Sequence, residues 1–172
     1  HRTIEVSLMQ HLLFLSHRIP YPPNKGDKIR SYHLLKHLST QYRVHLGCFV
    51  DDANDMEHIE YVSSLCASSH IVPLDRTRAT AYSVRGFLTG EALTLPFYRQ
   101  AGMAAWVQRT LHEYPIANAL AFSSPMAQYL ISLPQALNRV IDFVDVDSDK
   151  WRQYAQSKKW PLSMVYRREA NK

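Results

Sequence analysis

Short apolar runs alternate with stretches of helical periodicity along this chain, and this alternation constrains the fold more than any other feature. Each run is short enough to be one buried strand. The five predicted strands are 11–17, 42–50, 70–74, 118–124 and 139–146. Helical patterns lie between them at 27–39, 54–67, 79–90, 103–111 and 125–132. Strands joined through helices make right-handed crossovers into a parallel sheet. The sequence therefore predicts an α/β fold, a Rossmann-like three-layer sandwich with a mainly parallel sheet.

Capping residues and prolines predict several element boundaries. Asn54 or Asp55 is a suitable N-cap for the second helix, and Pro73 indicates that the third strand ends there or lies at an edge. Ser124 stands before a proline, which is typical of a helix start. Asp142 lies inside an apolar strand, so we expect it to be paired or to lie at the rim of the sheet.

The composition is that of an ordered protein with a basic balance. Of the 172 residues, 46% are hydrophobic and 20% are charged, and the net charge is +5. This charge favours phosphorylated substrates, acidic lipid surfaces or nucleic acid as partners, without choosing among them. No apolar run approaches the ~20 residues that span a bilayer.

The loop after the first strand, SHRIPYPPNKGDK, is the first candidate site. Open parallel sheets bind ligands outside the carboxyl ends of their strands. A helix start there exposes unpaired N–H groups, Gly26 permits close approach of a ligand, and Arg18, Lys25, Lys28 and Arg30 add positive charge. The predicted substrate-binding residues here are Lys25, Gly26, Asp27, Lys28 and Arg30. The alternative is that Asp27 caps the helix and the cations are simply solvated. We expect the strand tips to converge on a positively biased pocket.

The ends of the fourth and fifth strands supply further candidates. Ser123 and Ser124 suit hydrogen bonds to a sugar or phosphate, although Ser124 is also the expected helix cap. Asp145 and Asp147 point the same way from a strand, so they could share general-base work or hold a cation. Capping of the next helix is the alternative role for Asp147.

Several chemistries lack their signatures. The chain has no GxGxxG, no GxxxxGK[ST] and no GxSxG motif, which argues against a dinucleotide cofactor, a Walker-type phosphate loop and a hydrolase nucleophile. His33 and His37 have metal-ligand spacing but no third ligand follows them. We therefore expect neither a cofactor nor a metal. The aromatic residues form no base-stacking stripe, so no nucleic acid is expected.

Several long blocks resemble the amino-terminal half of family 4-like glycosyltransferases. The nearest group is the sugar transferases associated with PEP-CTERM/exosortase and exopolysaccharide gene clusters. The blocks are LLFLSHRIPYPPNKGDKIRSYHLLKHLS, VHLGCFVDD, FSSPMAQY, VIDFVDVDSDKWRQYA and YRREA. They cover nearly everything from Met9 to Lys172, in order.

The resemblance implies a GT-B architecture, in which two Rossmann-like domains face each other across a cleft. The first domain holds the acceptor, and the second holds a nucleotide-sugar donor. Paired glycines are usual in the first loop, where this chain has Lys25-Gly26-Asp27. Relatives carry a histidine after a later strand, where this chain offers Asp145 and Asp147 as the catalytic candidates. The acidic pair of the donor domain, Glu-x7-Glu, does not occur in this chain.

On this basis, residues 1–8 are predicted to be tag or upstream sequence, 9–157 the acceptor-side domain, and 158–172 the start of a connecting helix. The complete enzyme would move a sugar from a nucleotide-sugar donor to a glycan or lipid-linked acceptor, and this chain alone would be inactive. A cytoplasmic location with peripheral contact to the inner membrane fits the basic charge. The alternative function is a non-catalytic Rossmann-like module that binds anions or nucleic acid.

Overall fold

A computed structural model describes residues 9–75, 77, 94–133 and 136–144. Five strands run through this part of the chain. They are β1 (His11–Ser16), β2 (Arg43–Val50), β3 (Ser68–Pro73), β4 (Ile116–Phe122) and β5 (Asn138–Asp142). The helices are α1 (Gly26–Leu38), α2 (Ile59–Ser64), α3 (Thr94–Phe97) and α4 (Ala101–Glu113). Two 3-10 helices, η1 (Ala53–His58) and η2 (Ser124–Tyr129), complete the described elements.

All five strands pair in parallel, in the order β3-β2-β1-β4-β5. The predicted α/β Rossmann-like sandwich with a parallel sheet is therefore confirmed. The chain first moves outward from β1 to β3 and then crosses back to β4 on the other side of β1. This reversal places the topological switch point between β1 and β4, and its carboxyl edge is where such sheets bind ligands.

Alternate residues of the central strands supply the two hydrophobic layers. Leu12 and Phe14 of β1 face the layer that holds α1 and α2, with Leu35 and Val62 packed there. Leu13 and Leu15 face the opposite layer, which contains α4. The burial of both faces explains why β1 and β2 read as nearly continuous apolar runs.

Helix α4 approaches the sheet closely because β2 has a glycine beneath it. A Cβ atom on Gly47 would lie 2.8 Å from a side-chain carbon of Leu15, 2.9 Å from the sulfur of Met103 and 3.0 Å from Trp106. The helical pattern predicted at 103–111 is confirmed, and Met103, Trp106, Val107 and Thr110 form the buried side of this helix.

Other local predictions need correction or lie outside the described residues. The second predicted helix begins as the 3-10 helix η1, and its N-cap is Asp52, whose carboxylate accepts from the backbone N–H of Asn54, rather than Asn54 or Asp55. Ser123, not Ser124, occupies the cap position of η2, and its side chain makes no capping bond. Pro73 does end β3, an edge strand of the described sheet. The predicted helix 79–90, residues 145–172 and residues 1–8 fall outside the described ranges.

A hydrogen-bonded histidine pair closes the amino-terminal edge of the sheet. His45, fully buried on β2, lies 2.8 Å through Nε2 from Nδ1 of His11, and its Nδ1 is 2.7 Å from Oγ of Ser68. The Tyr114 ring covers the pair at 4.3 Å from the ring of His45. Burial, reinforced by His11 and Arg43, lowers the pKa of His45 to about 4.

This pair predicts a loss of stability in mild acid. In the unfolded chain His45 takes up a proton near its ordinary pKa of 6.5, whereas the folded chain resists protonation until about pH 4. The unfolded state therefore binds more protons between these values, and stability falls as the pH drops through them. We expect a loss of about 2 kcal/mol from this group between pH 7 and pH 5. Urea denaturation at several pH values measures it.

The variant His45→Gln should be less stable at pH 7 but should lose most of that dependence on pH. His37→Gln, a change at an exposed position of α1, serves as the control and should keep it. An unaltered pH dependence in His45→Gln would contradict the burial of this imidazole in its neutral form.

Candidate functional site

Charged and polar side chains meet at the switch point, at the carboxyl edge of the sheet. Loops after β1, β2 and β4 supply some of them, while β5 and the first turns of α1 supply the others. We call this group the switch-point cluster, and it consists of His17, Arg18, Asp27, Arg30, Asp51, Ser123 and Asp142.

Arg18 joins three elements through two ion pairs. Its Nη1 lies 3.1 Å from Oδ2 of Asp27 in α1, and its Nε lies 2.9 Å from Oδ2 of Asp51, which follows β2. The guanidinium is planar and carries donors on two sides, so it can serve two carboxylates at once. The loop after β1 is thereby held against both neighbours.

His17 shares the same carboxylate. Its Nε2 lies 3.2 Å from Oδ2 of Asp27, and its ring lies between Phe122, stacked at 6.3 Å, and Tyr98, edge-on at 5.9 Å. The hydrogen bond from His17, together with Arg18 and against the opposing effect of burial, holds the pKa of Asp27 well below its ordinary value. The other ring nitrogen of His17, Nδ1, is buried and has no hydrogen-bond partner among the described residues.

Arg30 connects α1 to the other side of the switch point. Its Nη2 lies 2.7 Å from Oδ2 of Asp142 at the end of β5, and its guanidinium lies 5.8 Å from the centre of the Phe122 ring. The expected pairing of Asp142 is confirmed. The structure therefore brings the start of α1 to the tips of both β4 and β5.

Ser123 sits at the tip of β4 in a conformation that is rare for a residue with a side chain. Its φ is 88° and its ψ is 136°, and its backbone N–H donates to the carbonyl oxygen of Asp142 at 2.7 Å. Strain of this kind is concentrated at functional sites, where the surroundings hold it in place. Ser124 begins η2 and is half-buried, without a capping role.

Lys28 is not available to a ligand. Its side chain is 1% exposed, and its Nζ lies 2.8 Å from Oδ2 of Asp55, which is also buried. The prediction that Lys28 contacts an anion is wrong, because its side chain is buried beneath α1 and paired with Asp55 of η1.

Lys25 is half-exposed and lies 3.9 Å from Asp52. Gly26 faces open space, where an added Cβ would meet no atom within 4 Å.

Each predicted cation thus faces an aspartate. The pairs are Arg18 with Asp27 and Asp51, Lys25 with Asp52, Lys28 with Asp55, and Arg30 with Asp142. The alternative role of Asp27 as an N-cap is wrong, since Lys25 holds that position and Asp27 makes ion pairs with His17 and Arg18. The expected positive bias is therefore wrong for the residues that the structure describes. Asp145 and Asp147, the predicted catalytic pair, lie outside those residues.

Two further properties concern only the described part of the chain. It contains no group of three or more His, Cys, Asp or Glu side chains placed to hold a metal ion. None of its helices combines the length and apolar character needed to cross a bilayer.

Comparison with protein-family models, with curated proteins and with solved structures found no match for this chain.

The Lys28–Asp55 pair predicts that a single substitution will lower the free energy of unfolding far more than substitution of both residues. Lys28→Met leaves a buried carboxylate without its partner, which should cost about 3–5 kcal/mol in the free energy of unfolding. The double variant Lys28→Met with Asp55→Leu removes both charges and should recover stability to within about 1 kcal/mol of the parent chain. Guanidinium denaturation tests both. A single variant that loses less than about 1 kcal/mol would show that Lys28 is not enclosed as described.

The backbone of Ser123 predicts a gain of stability from a glycine. Relief of strain exceeds the entropic cost of the glycine, so Ser123→Gly should raise the free energy of unfolding by about 1 kcal/mol. Ser123→Ala keeps the strain and should give no gain, and Ser124→Gly should be destabilising. Thermal unfolding of the three variants measures this. Destabilisation by Ser123→Gly would mean that the positive φ is unstrained.

Proposed function

We propose that this chain is the acceptor-side domain of a two-domain GT-B glycosyltransferase, of the family 4-like group that its sequence resembles. The complete enzyme would transfer a sugar from a nucleotide-sugar donor to a glycan or lipid-linked acceptor in exopolysaccharide biosynthesis. The observation that carries the proposal is the charge pairing of the switch-point cluster, which lies where a Rossmann-like sheet binds its ligand.

The charge balance of this cluster favours hydroxyl groups over phosphates. Two arginines face three aspartates there, which leaves no excess of positive charge to hold a diphosphate. Paired carboxylates keep further lone pairs, and paired guanidinium groups keep further donors. A sugar hydroxyl both donates and accepts, so it is a suitable ligand for this network. The donor's diphosphate then belongs to the second domain.

His17 supplies the most specific contact within this proposal. The unpartnered Nδ1, in a ring held by Asp27 and Phe122, is available for a hydrogen bond with a sugar hydroxyl, which can both donate and accept. Such a contact orients an acceptor oxygen for attack on the donor sugar. Because Nδ1 is buried in the free chain, the surrounding side chains must move for the hydroxyl to reach it. Asp145 and Asp147 retain their proposed role as acidic groups near this hydroxyl.

The alternative function, an anion- or nucleic-acid-binding module, needs unpaired cations at the strand tips. Nucleic-acid binding depends on lysines and arginines that neutralise phosphates. The cations predicted for that purpose, Lys25, Lys28 and Arg30, each lie within 4.0 Å of an aspartate oxygen, so the alternative is less favoured.

Ligand titration followed by ¹H–¹⁵N NMR tests the proposal on this chain. A panel of neutral methyl glycosides should shift the backbone signals of Arg18, Asp27 and Ser123, and inorganic pyrophosphate should not. Asp51→Asn should weaken the glycoside binding several-fold, because it loosens Arg18. Glu57→Gln, which changes a carboxylate that is 76% exposed on η1, is the matched control and should leave the affinity unchanged.

Shifts at the cluster with pyrophosphate or single-stranded DNA and none with any glycoside would overturn the proposal. Steep weakening of such binding with added salt would then identify the anion-binding alternative.

A further inference from the structure

A cluster of aromatic rings joins the loop after β1, helix α1 and the segment formed by η1 and α2. Its members are Tyr21, Tyr32, His58 and Tyr61, which we call the tyrosine platform. The ring of Tyr21 is 4.7 Å from that of Tyr61, 5.4 Å from that of Tyr32 and 5.0 Å from that of His58. The hydroxyls of Tyr32 and Tyr61 are 2.9 Å apart and exposed. Mutual contacts therefore fix the rings at the surface.

Part of this apolar surface remains open to solvent. Tyr61 is 42% exposed, and the elements that carry the platform also carry two exposed apolar residues, Ile29 on α1 at 44% and Met56 on η1 at 41%. Aromatic rings held in mutual contact, with their hydroxyls and part of one ring open to solvent, are typical of a ligand-binding surface.

One continuous segment connects the platform to the switch-point cluster. Asp51 pairs with Arg18 in the cluster, Asp52 caps η1, and η1 leads directly into α2, which carries Tyr61. The loop after β1 and α1 join the two groups as well, since Tyr21 follows Arg18 by three residues and Tyr32 follows Arg30 by two. A ligand of several sugar rings can therefore contact both groups at once.

The charges beside the platform are balanced, which indicates the class of ligand. Lys25 pairs with Asp52, and Lys28 with Asp55. Lys36 acts on Tyr61, but exposed Glu57 and Glu60 lie on the elements that carry Met56 and Tyr61. An anionic lipid surface or a nucleic acid would meet these carboxylates and be repelled. A neutral ligand meets no such opposition.

We infer that the tyrosine platform binds a sugar ring of a neutral oligosaccharide whose reacting end lies at the switch-point cluster. One face of a pyranose ring presents C–H groups, which pack on an aromatic ring, while its hydroxyls reach the Tyr32 and Tyr61 hydroxyls. The inference rests on the proposed function and gives it a substrate class: the acceptor is a glycan of several sugars, and a second subsite holds the ring farther from the reacting end.

Tyrosine ring signals and the length of the saccharide test this inference. The chain, with ¹³C-labelled tyrosine rings, is titrated with neutral hexasaccharides of glucose, galactose or mannose and with the corresponding methyl glycosides. At least one hexasaccharide should shift the ring signals of Tyr61 and Tyr32 and bind at least tenfold more tightly than its methyl glycoside.

Two substitutions at one position separate stacking from folding. Tyr61→Ala should weaken hexasaccharide binding about tenfold and leave methyl glycoside binding unchanged. Tyr61→Phe keeps the ring face and should stay within about threefold of the parent chain. Amide spectra that match the parent chain show that both variants fold.

The outcomes separate this inference from the proposed function. Shifts at Arg18 and Asp27 without any effect of Tyr61→Ala would overturn the inference and leave the proposed function standing. Shifts at the tyrosine rings alone would support the platform and contradict a binding site at the switch point. An absence of saccharide shifts at both places would overturn both. Anionic phosphatidylglycerol vesicles that shift Tyr61, when no saccharide does, would overturn the inference in favour of a lipid surface.

Discussion

Arg18 follows the first strand by two residues and forms ion pairs with Asp27 of α1 on one side and with Asp51, after β2, on the other. Without this guanidinium, both carboxylates would lose a cationic partner at the carboxyl edge of the sheet. The arginine therefore holds the loop after β1 over the strand ends, together with the backbone hydrogen bond that Ile19 donates to the carbonyl oxygen of Phe49. The position of the His17 ring follows from the same arrangement, since His17 shares Oδ2 of Asp27 with Arg18.

The pairing of cations with aspartates explains why the net charge of the chain misleads about its site. The chain carries an excess of five positive charges, but each of the cations Arg18, Lys25, Lys28 and Arg30 around the switch point is paired with an aspartate. The basic excess therefore lies elsewhere on the chain. What remains at the strand tips is a network of fixed donors and acceptors, which is the surface that a hydroxyl-rich ligand requires.

The layer architecture could be predicted from the sequence because the spacing of hydrophobic residues distinguishes the strands from the helices that cover them. A run as short as LLFLS, bounded by polar and turn residues, is typical of a strand covered on both faces, and the segments with helical spacing supply the two covering layers. The pairings of the site were not predictable in the same way, since they depend on which aspartate the fold brings to which cation. Asp51 and Asp55 stand far from Arg18 and Lys28 in sequence. Only the register of parallel strands and the path of η1 bring them together.

The positions of two residues, Lys28 and His17, could nonetheless have been predicted from the sequence. Lys28 lies on the same helical stripe as Ser31 and Leu35, at intervals of three and seven residues, and this stripe is the buried one. His17 directly follows β1, whose last five residues are buried, at the point where the strand order reverses, and this is a favoured place for ligand contact. In both cases the charges of the Pro/Gly loop suggested a ligand site, whereas the helical stripe and the strand order determine which side chains are buried and which lie at the switch point.

The most direct test of this account is a ¹³C NMR titration of the Asp27 side-chain carboxyl. In the parent chain this group should stay ionised well below the ordinary aspartate pKa of 3.8, and His17→Phe, which keeps a ring but removes the donor, should move the pKa back toward that value. A carboxyl that titrates in the ordinary range in the parent chain would contradict the paired network on which the proposed site depends.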